Sequence, residues 1–390
     1  MTSPSLPSDR AVDANSGSAL AVACFVMAVG GLEFSIMPLY LGGMATHLLF
    51  SEQQVGFIGS AYLAGFTLTS FSAVLWSHRV NWRTGVLVAA VAATISYLIA
   101  SATKDFGWIL ALTLFVGCSR GVFYAISVCS LGDTENSERA FALGSLATMS
   151  LAGLGMLVLP YVMQSFLVHG LFLPLIGVSI LTAAMVRWLP VSAGKKAEAA
   201  QGSQTGSTFH VFVALFGLLV FWIGMCGIWS FLERIGNASG LSPQAIGTVL
   251  AVSYAAVILV ALIVAWLGDR TGRAAPIFLG MTTMLVGIFL LDRTLTFAAY
   301  MTASIVFQVG WIICYPFTMA VISRADTSGR YVPLIAAAQG LGASMGAALG
   351  GTLLGAGEDY SGIYRMGVVC LVLSMALFGW VLFKLREQEA

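Results

Sequence analysis

Two ionisable residues stand inside otherwise apolar stretches of the sequence and are the first candidates for chemistry. Glu33 lies within the apolar run 19–41, and Arg120 lies within the run 107–130. A charge in such a run is costly unless it is paired or used, so we interpret both residues as functional. Low-dielectric surroundings favour the protonated carboxylate, whereas a nearby guanidinium favours the ionised one. A movement that separates Glu33 from Arg120 would therefore drive Glu33 to bind a proton.

Two other interpretations of these charges remain open at this point. The pair could be a static buried ion pair that fixes helix packing. Alternatively, Arg120 could bind an anionic substrate and leave Glu33 alone as the proton site. In each case the two Cα atoms differ in depth by several ångströms, which an arginine side chain covers if their helices face each other.

The elements that must position these charges are membrane-spanning helices. Of the 390 residues, 58% are hydrophobic and 9% are charged, against about 25% charged in soluble globular domains. The apolar residues form about twelve runs of about 20 residues, the length that crosses a hydrocarbon core of ~30 Å as a helix. These runs use nearly the whole chain, which excludes a large soluble domain. The predicted spans are 19–41, 55–76, 84–101, 107–130, 140–162, 168–189, 209–235, 245–267, 275–292, 296–322, 332–355 and 361–384.

A polar connection in the middle of the chain divides the spans into six and six. It contains Lys195, Lys196 and a stretch rich in Gln, Gly, Ser and Thr, which has the composition of a linker. Thirteen of the 18 Lys and Arg fall on the side of the N-terminus and four on the other. The positive-inside rule therefore predicts cytoplasmic termini and a multi-pass protein of the cell (inner) membrane. The predicted organisation is a disordered cytoplasmic tail 1–18, an N-terminal bundle 19–189, a cytoplasmic linker 190–208, a C-terminal bundle 209–384 and a tail 385–390.

The two halves also repeat each other. A shift of 191 residues aligns Ser51 with Ser242, Gln53 with Gln244, Gly56 with Gly247 and Arg79 with Arg270. Because the matched residues are mostly polar or Gly and lie at loop edges, a duplication is favoured over chance matching of apolar helices. Two similar halves are typical of transporters.

A motif at the end of the eighth span resembles the signature of a known protein family. The chain reads Gly268-Asp269-Arg270-Thr271-Gly272-Arg273, which resembles the Asp-Arg-x-Gly-Arg core of the signature loop of the major facilitator superfamily. This resemblance implies an all-α membrane protein with twelve transmembrane helices in two pseudo-symmetric six-helix bundles. It also implies that the first and fourth helices face a central cavity, with an acid and an arginine at the positions of Glu33 and Arg120.

The same resemblance implies a gate on the cytoplasmic side. The first-half copy of the motif departs from the pattern, because His78 replaces the acid and Asn81 replaces the glycine. The alternative is that these arginines only anchor loops. The predicted cytoplasmic gate residues are Asp269, Arg270, Gly272, Arg273, Arg79, Asp133 and Arg139. At the other end, Glu233 and Arg234 are interpreted either as an outer gate or as a simple interfacial pair.

Aromatic and polar residues at helical spacing predict the lining of a substrate cavity. Such residues combine an apolar body with a polar edge and suit an amphipathic organic solute. Lipid-facing or interfacial aromatic residues are the alternative. The predicted lining is Met37, Tyr40, Tyr124, Trp222, Trp229, Gln308, Trp311 and Tyr315.

The sequence therefore predicts a proton-coupled secondary transporter that works by alternating access. The four histidines and six cysteines form no metal-ligand spacing and the chain has no phosphate-binding loop, so we expect no cofactor, no metal and no enzyme activity. The expected partners are a small organic solute, protons and the lipid bilayer, without nucleic acid, for a monomeric protein. Export by antiport, uptake of an organic anion by symport, and a membrane receptor without transport all remain open.

Overall fold

The fold is a bundle of α-helices, and successive long helices run in opposite directions. The computed structural model describes residues 15–77, 79–192, 208–267, 272–292, 296–326, 331, 334–356 and 360–389. The helices are α1 (Gly17–Gly30), α2 (Leu32–Ser35), α3 (Met37–Leu48), α4 (Glu52–Trp76), α5 (Trp82–Ala102), α6 (Phe106–Gly132), α7 (Ser137–Phe166), α8 (Val168–Met185), α9 (Thr208–Trp229), α10 (Leu232–Ala238), α11 (Pro243–Leu267), α12 (Ala274–Leu291), α13 (Phe297–Ala325), α14 (Leu334–Ala356) and α15 (Ser361–Glu389).

These helices make twelve crossings, as the sequence predicts. Eleven helical stretches of the described chain are long and apolar enough to span a membrane, and one of them, the seventh crossing, consists of α9 and α10. The remaining crossing is the first one, which α1, α2 and α3 make in series. The prediction of a single first span ending at residue 41 is therefore wrong in detail. The crossing extends from Gly17 to Leu48 and is broken twice.

Polar residues at the loop edges explain where many helices begin. The Ser51 side chain accepts from the backbone of Gln54 while the Gln54 side chain accepts from the backbone of Ser51, which satisfies two free amides at the start of α4. Ser242 accepts in the same way from Ala245 at the start of α11. The repeated serines of the two halves thus have the same local role.

The first and seventh crossings share a break that positions an acid. α1 ends at Gly30, and α2 begins with Leu32 and Glu33. The seventh crossing breaks between Trp229 and Leu232, and α10 begins with Leu232 and Glu233. In the first crossing the cause includes Pro38, which has no N–H to donate to the carbonyl of Phe34 four residues earlier.

The two halves pack against each other toward one end of the bundle. We call this end, which carries Leu49–Ser51 and Ser239–Ser242, the distal side, and the opposite end, where Gly17 and Glu389 lie, the terminal side. A Cβ built on Gly56 of α4 would lie 2.7 Å from Gly351 Cα of α14, so the two backbones touch. Together with the contact of Gly247 on the backbone of Met156, this packing closes the distal side.

Candidate functional site

The carboxylate of Glu33 lies at the centre of a buried polar cluster. Its Oε1 atom accepts hydrogen bonds from Tyr97 Oη at 2.5 Å and from Arg120 Nε at 2.7 Å, and Arg120 Nη2 lies 2.6 Å from the same oxygen in the ion pair. The side chains of Glu33 and Arg120 are 0% exposed. The ion pair is therefore fully removed from water, and Tyr97 adds a hydrogen bond to a charged acceptor.

A further layer of contacts holds the guanidinium in place. Arg120 Nη2 donates to Ser179 Oγ at 3.1 Å, and Ser179 in turn donates to the Leu175 carbonyl. The guanidinium also lies 5.3 Å from the centre of the Phe123 ring, within the range of a cation–π contact. Side chains from α2, α5, α6 and α8 thus converge on one charge pair.

Close approach of two helices makes this pairing possible. A Cβ on Gly30 would lie 2.9 Å from the backbone nitrogen of Tyr124 and 3.3 Å from the carbonyl of Arg120. Only glycine allows α1 to lie this near α6. The break after Gly30 then directs Glu33 toward the arginine.

The cluster also contains unused hydrogen-bonding capacity. Among the described residues, neither Oε2 of Glu33 nor Nη1 of Arg120 has a hydrogen-bond partner. Buried polar atoms are normally satisfied, so each is a position where a ligand, a water molecule or a proton would be stabilised. One open atom accepts and the other donates.

An aromatic cavity lies beside this cluster, between the two halves. Two of its groups join the halves, because Trp229 Nε1 donates to the Phe34 carbonyl at 3.1 Å and Tyr254 Oη donates to the Ser35 carbonyl at 3.1 Å. The lining residues are Phe34, Met225, Trp229, Tyr254, Phe307, Gln308 and Trp311. Nε2 of Gln308 and Nε1 of Trp311 lack partners in the described chain.

The structure brings together only part of the predicted lining. Trp229, Gln308 and Trp311 line the cavity, whereas Trp222 and Tyr315 extend its wall through ring contacts at 5.7 Å. Tyr124 lies near Tyr315 and reaches this wall from the first half. Met37 and Tyr40 are instead buried in the core of the first half, where Tyr40 meets Thr113.

On the distal side, Arg234 pairs across the halves rather than with its neighbour. Its Nε and Nη2 both donate to Glu52 Oε1 of α4, at 2.8 and 2.5 Å, and both side chains are 22% exposed. Glu233 points elsewhere and is 4% exposed. The predicted outer residues are thus separated into an interhelical pair and a buried acid.

The predicted cytoplasmic gate is only partly visible. Asp269 and Arg270 lie outside the described residues. Gly272 has a φ of +66°, the left-handed conformation that glycine adopts without strain, and Arg273 lines a terminal-side cavity with Arg324 and Arg386. Arg79 and Arg139 are exposed on the first half, and Asp133 caps the end of α6.

Comparison with known proteins decides the family. The sequence profile of the Major Facilitator Superfamily matches residues 20–232, more than half of the chain. The chain belongs to the Major Facilitator Superfamily. It is a secondary transporter, an integral membrane protein that crosses the bilayer several times.

Solved structures show the same fold over nearly the whole transporter. A D-xylose–proton symporter is 13% identical with a TM-score of 0.73, and the alignment covers 92% of this chain and 96% of the symporter. The nucleoside transporter NupG is also 13% identical, with a TM-score of 0.72 and coverage of 93% and 98%. A bacterial homologue of the lysosomal transporter Spinster, inward-facing and occupied, is 13% identical with a TM-score of 0.71 and coverage of 95% and 97%. No curated protein sequence matches the chain significantly.

Sequence reasoning missed several residues of the transporter's site. Tyr97 and Ser179 hold the charge pair, Glu52 pairs with Arg234, and Tyr254 joins the halves. Each is a single polar group in an apolar helix or at its end, and the sequence does not tell which neighbour it faces. Pro38 is the one available signal, because a proline inside a span predicts a break beside Glu33.

Proposed function

We propose that the protein couples the movement of protons to the transport of a small organic solute, with Glu33 as the proton-binding residue and Arg120 as its partner. The proposal rests on one observation. Arg120 contacts only one carboxylate oxygen of the buried Glu33, and the second oxygen has no hydrogen-bond partner among the described residues. In this state the guanidinium and Tyr97 stabilise ionised Glu33. Separation of the helices removes that stabilisation, and a buried carboxylate then binds a proton.

Alternating access supplies the movement that such coupling needs. The distal side is closed by glycine contacts and by the Arg234–Glu52 pair. With the termini in the cytoplasm, as the distribution of Lys and Arg favours, this state faces inward. We propose the Arg234–Glu52 pair as the outer gate and the loop around Gly272 and Arg273 as part of the cytoplasmic gate.

The aromatic cavity supports an amphipathic organic solute. Its walls offer ring faces for stacking, and Gln308 and Trp311 offer unpaired N–H groups for oxygen or nitrogen acceptors. We propose export by antiport as the direction. In that cycle, solute binding to the inward-facing state accompanies release of the proton from Glu33.

A second function, uptake of an organic anion, is supported by one unpartnered atom of Arg120. Nη1 of Arg120 is buried and unpartnered in the described structure, so it is available to a carboxylate or phosphate group of a substrate. The protein would then be a symporter that takes up an organic anion, with Arg120 as the anchor and Glu33 as the proton site.

The test is solute-dependent proton flux in proteoliposomes that contain a pH-sensitive dye. Neutral, cationic and anionic aromatic solutes are added outside the vesicles. Symport then acidifies the lumen, whereas antiport makes the lumen more alkaline. Glu33→Gln is expected to abolish flux driven by a pH gradient and to keep solute counterflow. Gradient-driven transport at the wild-type rate in Glu33→Gln would show that Glu33 is not the coupling residue. Glu135→Gln, an exposed acid on the terminal side, is the matched control.

A further inference from the structure

The second half contains a buried carboxylate that the coupling of Glu33 does not use. Glu233 is the second residue of α10, as Glu33 is the second residue of α2, and it is 4% exposed. Its Oε2 atom has no hydrogen-bond partner in the described part of the chain. An ionised carboxylate in that position loses most of its hydration, and the hydrogen bond from Asn237 replaces only part of it.

The groups around Glu233 are already engaged by other partners. The guanidinium of Arg234 binds Glu52, so one cation serves two acids in this cluster. Tyr300 Oη donates to the Leu232 carbonyl at 2.8 Å, and Tyr360 Oη donates to the Arg234 carbonyl at 3.0 Å. The side chain of Asn237, one turn further along α10, is the remaining polar group within reach. Glu33, in contrast, has an arginine and a tyrosine of its own.

The carboxylate of Glu233 also forms part of the contact between the halves. Its Oε2 lies against Gly42 of α3, at the place that a Cβ of any other residue would occupy. Gly42 is six residues from the end of α3, or about 9 Å along the helix, so the contact is near the distal side. Separation of the halves on this side breaks the Arg234–Glu52 pair and admits water to Glu233.

We propose that Glu233 is a second proton-binding site of the transporter, occupied when the distal side is closed and emptied into the distal solution when it opens. Closure places the carboxylate on Gly42 without a cation of its own and therefore requires the neutral acid. Opening hydrates it and leaves Arg234 free to pair with it, which stabilises the ionised form. Closure of the distal side thus takes up one proton, independently of the charge on Glu33.

Other titratable groups near the contact do not account for the same behaviour. Burial raises the pKa of the Tyr360 phenol to about 12, so it stays protonated at physiological pH. Glu52 has the guanidinium of Arg234 as its partner in the closed state. His47 of α3, five residues beyond Gly42 and half-buried, is the group that needs an explicit control.

The proposal rests on alternating access but not on the role of Glu33, and its test needs neither a solute nor a gradient. Nitroxide labels are placed on Cys residues at Phe166 and Ala356, exposed distal positions of the two halves. The labelled parent has its six free cysteines replaced and carries Glu33→Gln, so that a proton bound by Glu33 does not contribute. Distances between the labels are measured in lipid from pH 5 to pH 9. One proton taken up on closure changes the open-to-closed ratio by up to about tenfold per pH unit, with opening favoured at high pH.

Three variants complete the experiment. Glu233→Gln should stay closed at all pH values, whereas His47→Gln should keep the pH dependence of the labelled parent. Gly42→Ala should favour the open state at every pH by displacing the carboxylate, and it provides a readout if Glu233→Gln does not fold. A labelled parent without pH dependence, an unchanged slope in Glu233→Gln, loss of the slope in His47→Gln, or an unchanged Gly42→Ala would each overturn the proposal.

Discussion

The hydrogen bond from Tyr97 to Glu33 gives the sharpest prediction about coupling. Tyr97→Phe removes one O–H group and leaves the ring, which packs 6.0 Å from Phe172. The lost bond has a charged acceptor and a donor–acceptor distance of 2.5 Å, so it stabilises ionised Glu33 by about 1.5–3 kcal/mol. Since one pH unit corresponds to about 1.4 kcal/mol, the pH midpoint of proton-driven flux should move by about 1 to 2 units.

The sign of this shift follows from which form the tyrosine stabilises. Tyr97 donates to the carboxylate, so its removal disfavours the ionised form of Glu33 relative to the protonated acid. The pH midpoint of gradient-driven flux in proteoliposomes should therefore rise by about 1 to 2 units, with solute counterflow retained.

A matched control separates this effect from general disturbance of the core. Tyr62 is equally buried and lies near Glu33, but its hydroxyl does not donate to the carboxylate. Tyr62→Phe should leave the midpoint within about 0.3 units, a fraction of the shift calculated for Tyr97. An unchanged midpoint in Tyr97→Phe, or the same shift in both variants, would refute the reasoning.

Three further predictions concern the charge pair and the distal contact. Arg120→Leu leaves Glu33 buried without its cation, so it should destabilise the protein by about 3–5 kcal/mol at pH 8 and by less at pH 5, as measured by thermal unfolding. Adding Glu33→Gln to the same chain should restore part of the lost stability. Gly56→Ala inserts a Cβ 2.7 Å from Gly351 Cα and should populate the distal-open state in label distances, whereas Gly153→Ala, which meets nothing within 4 Å, should not. Glu52→Gln removes a partly exposed ion pair worth about 0.2–1 kcal/mol and should increase the open population a few-fold at low salt but hardly at 1 M salt.

The fold could be predicted from the sequence because bilayer thickness fixes helix length. Apolar runs, loop-edge caps and the central linker are local features, and the helix bounds differ from the predicted spans by a few residues in most cases. The seventh span is broken between α9 and α10, and the first span differs most from its prediction. Its apolar run reads as one helix in composition, but Gly31 and Pro38 break it, and hydropathy does not respond to backbone hydrogen bonding.

The site was harder to predict from the sequence, because it depends on which sides of the helices pack against each other. Glu33 and Arg120 were visible because charges are rare in spans. Tyr97 was not, because a tyrosine in an apolar helix occurs equally at interfaces and in cores. The aromatic lining shows the same limit: Trp311 faces the cavity, whereas Tyr40, which was also predicted to line it, packs inside the first half.

The break at Pro38 gives the two halves a contact through the backbone. It leaves the Phe34 carbonyl without its helical donor, and Trp229 of the opposite half donates to that carbonyl, as Tyr254 does to the carbonyl of Ser35. Any separation of the halves at this point must break both hydrogen bonds, and each carbonyl that stays dry afterwards costs about 1–3 kcal/mol. A single imino acid in the first crossing therefore makes the main chain itself part of the adhesion between the halves.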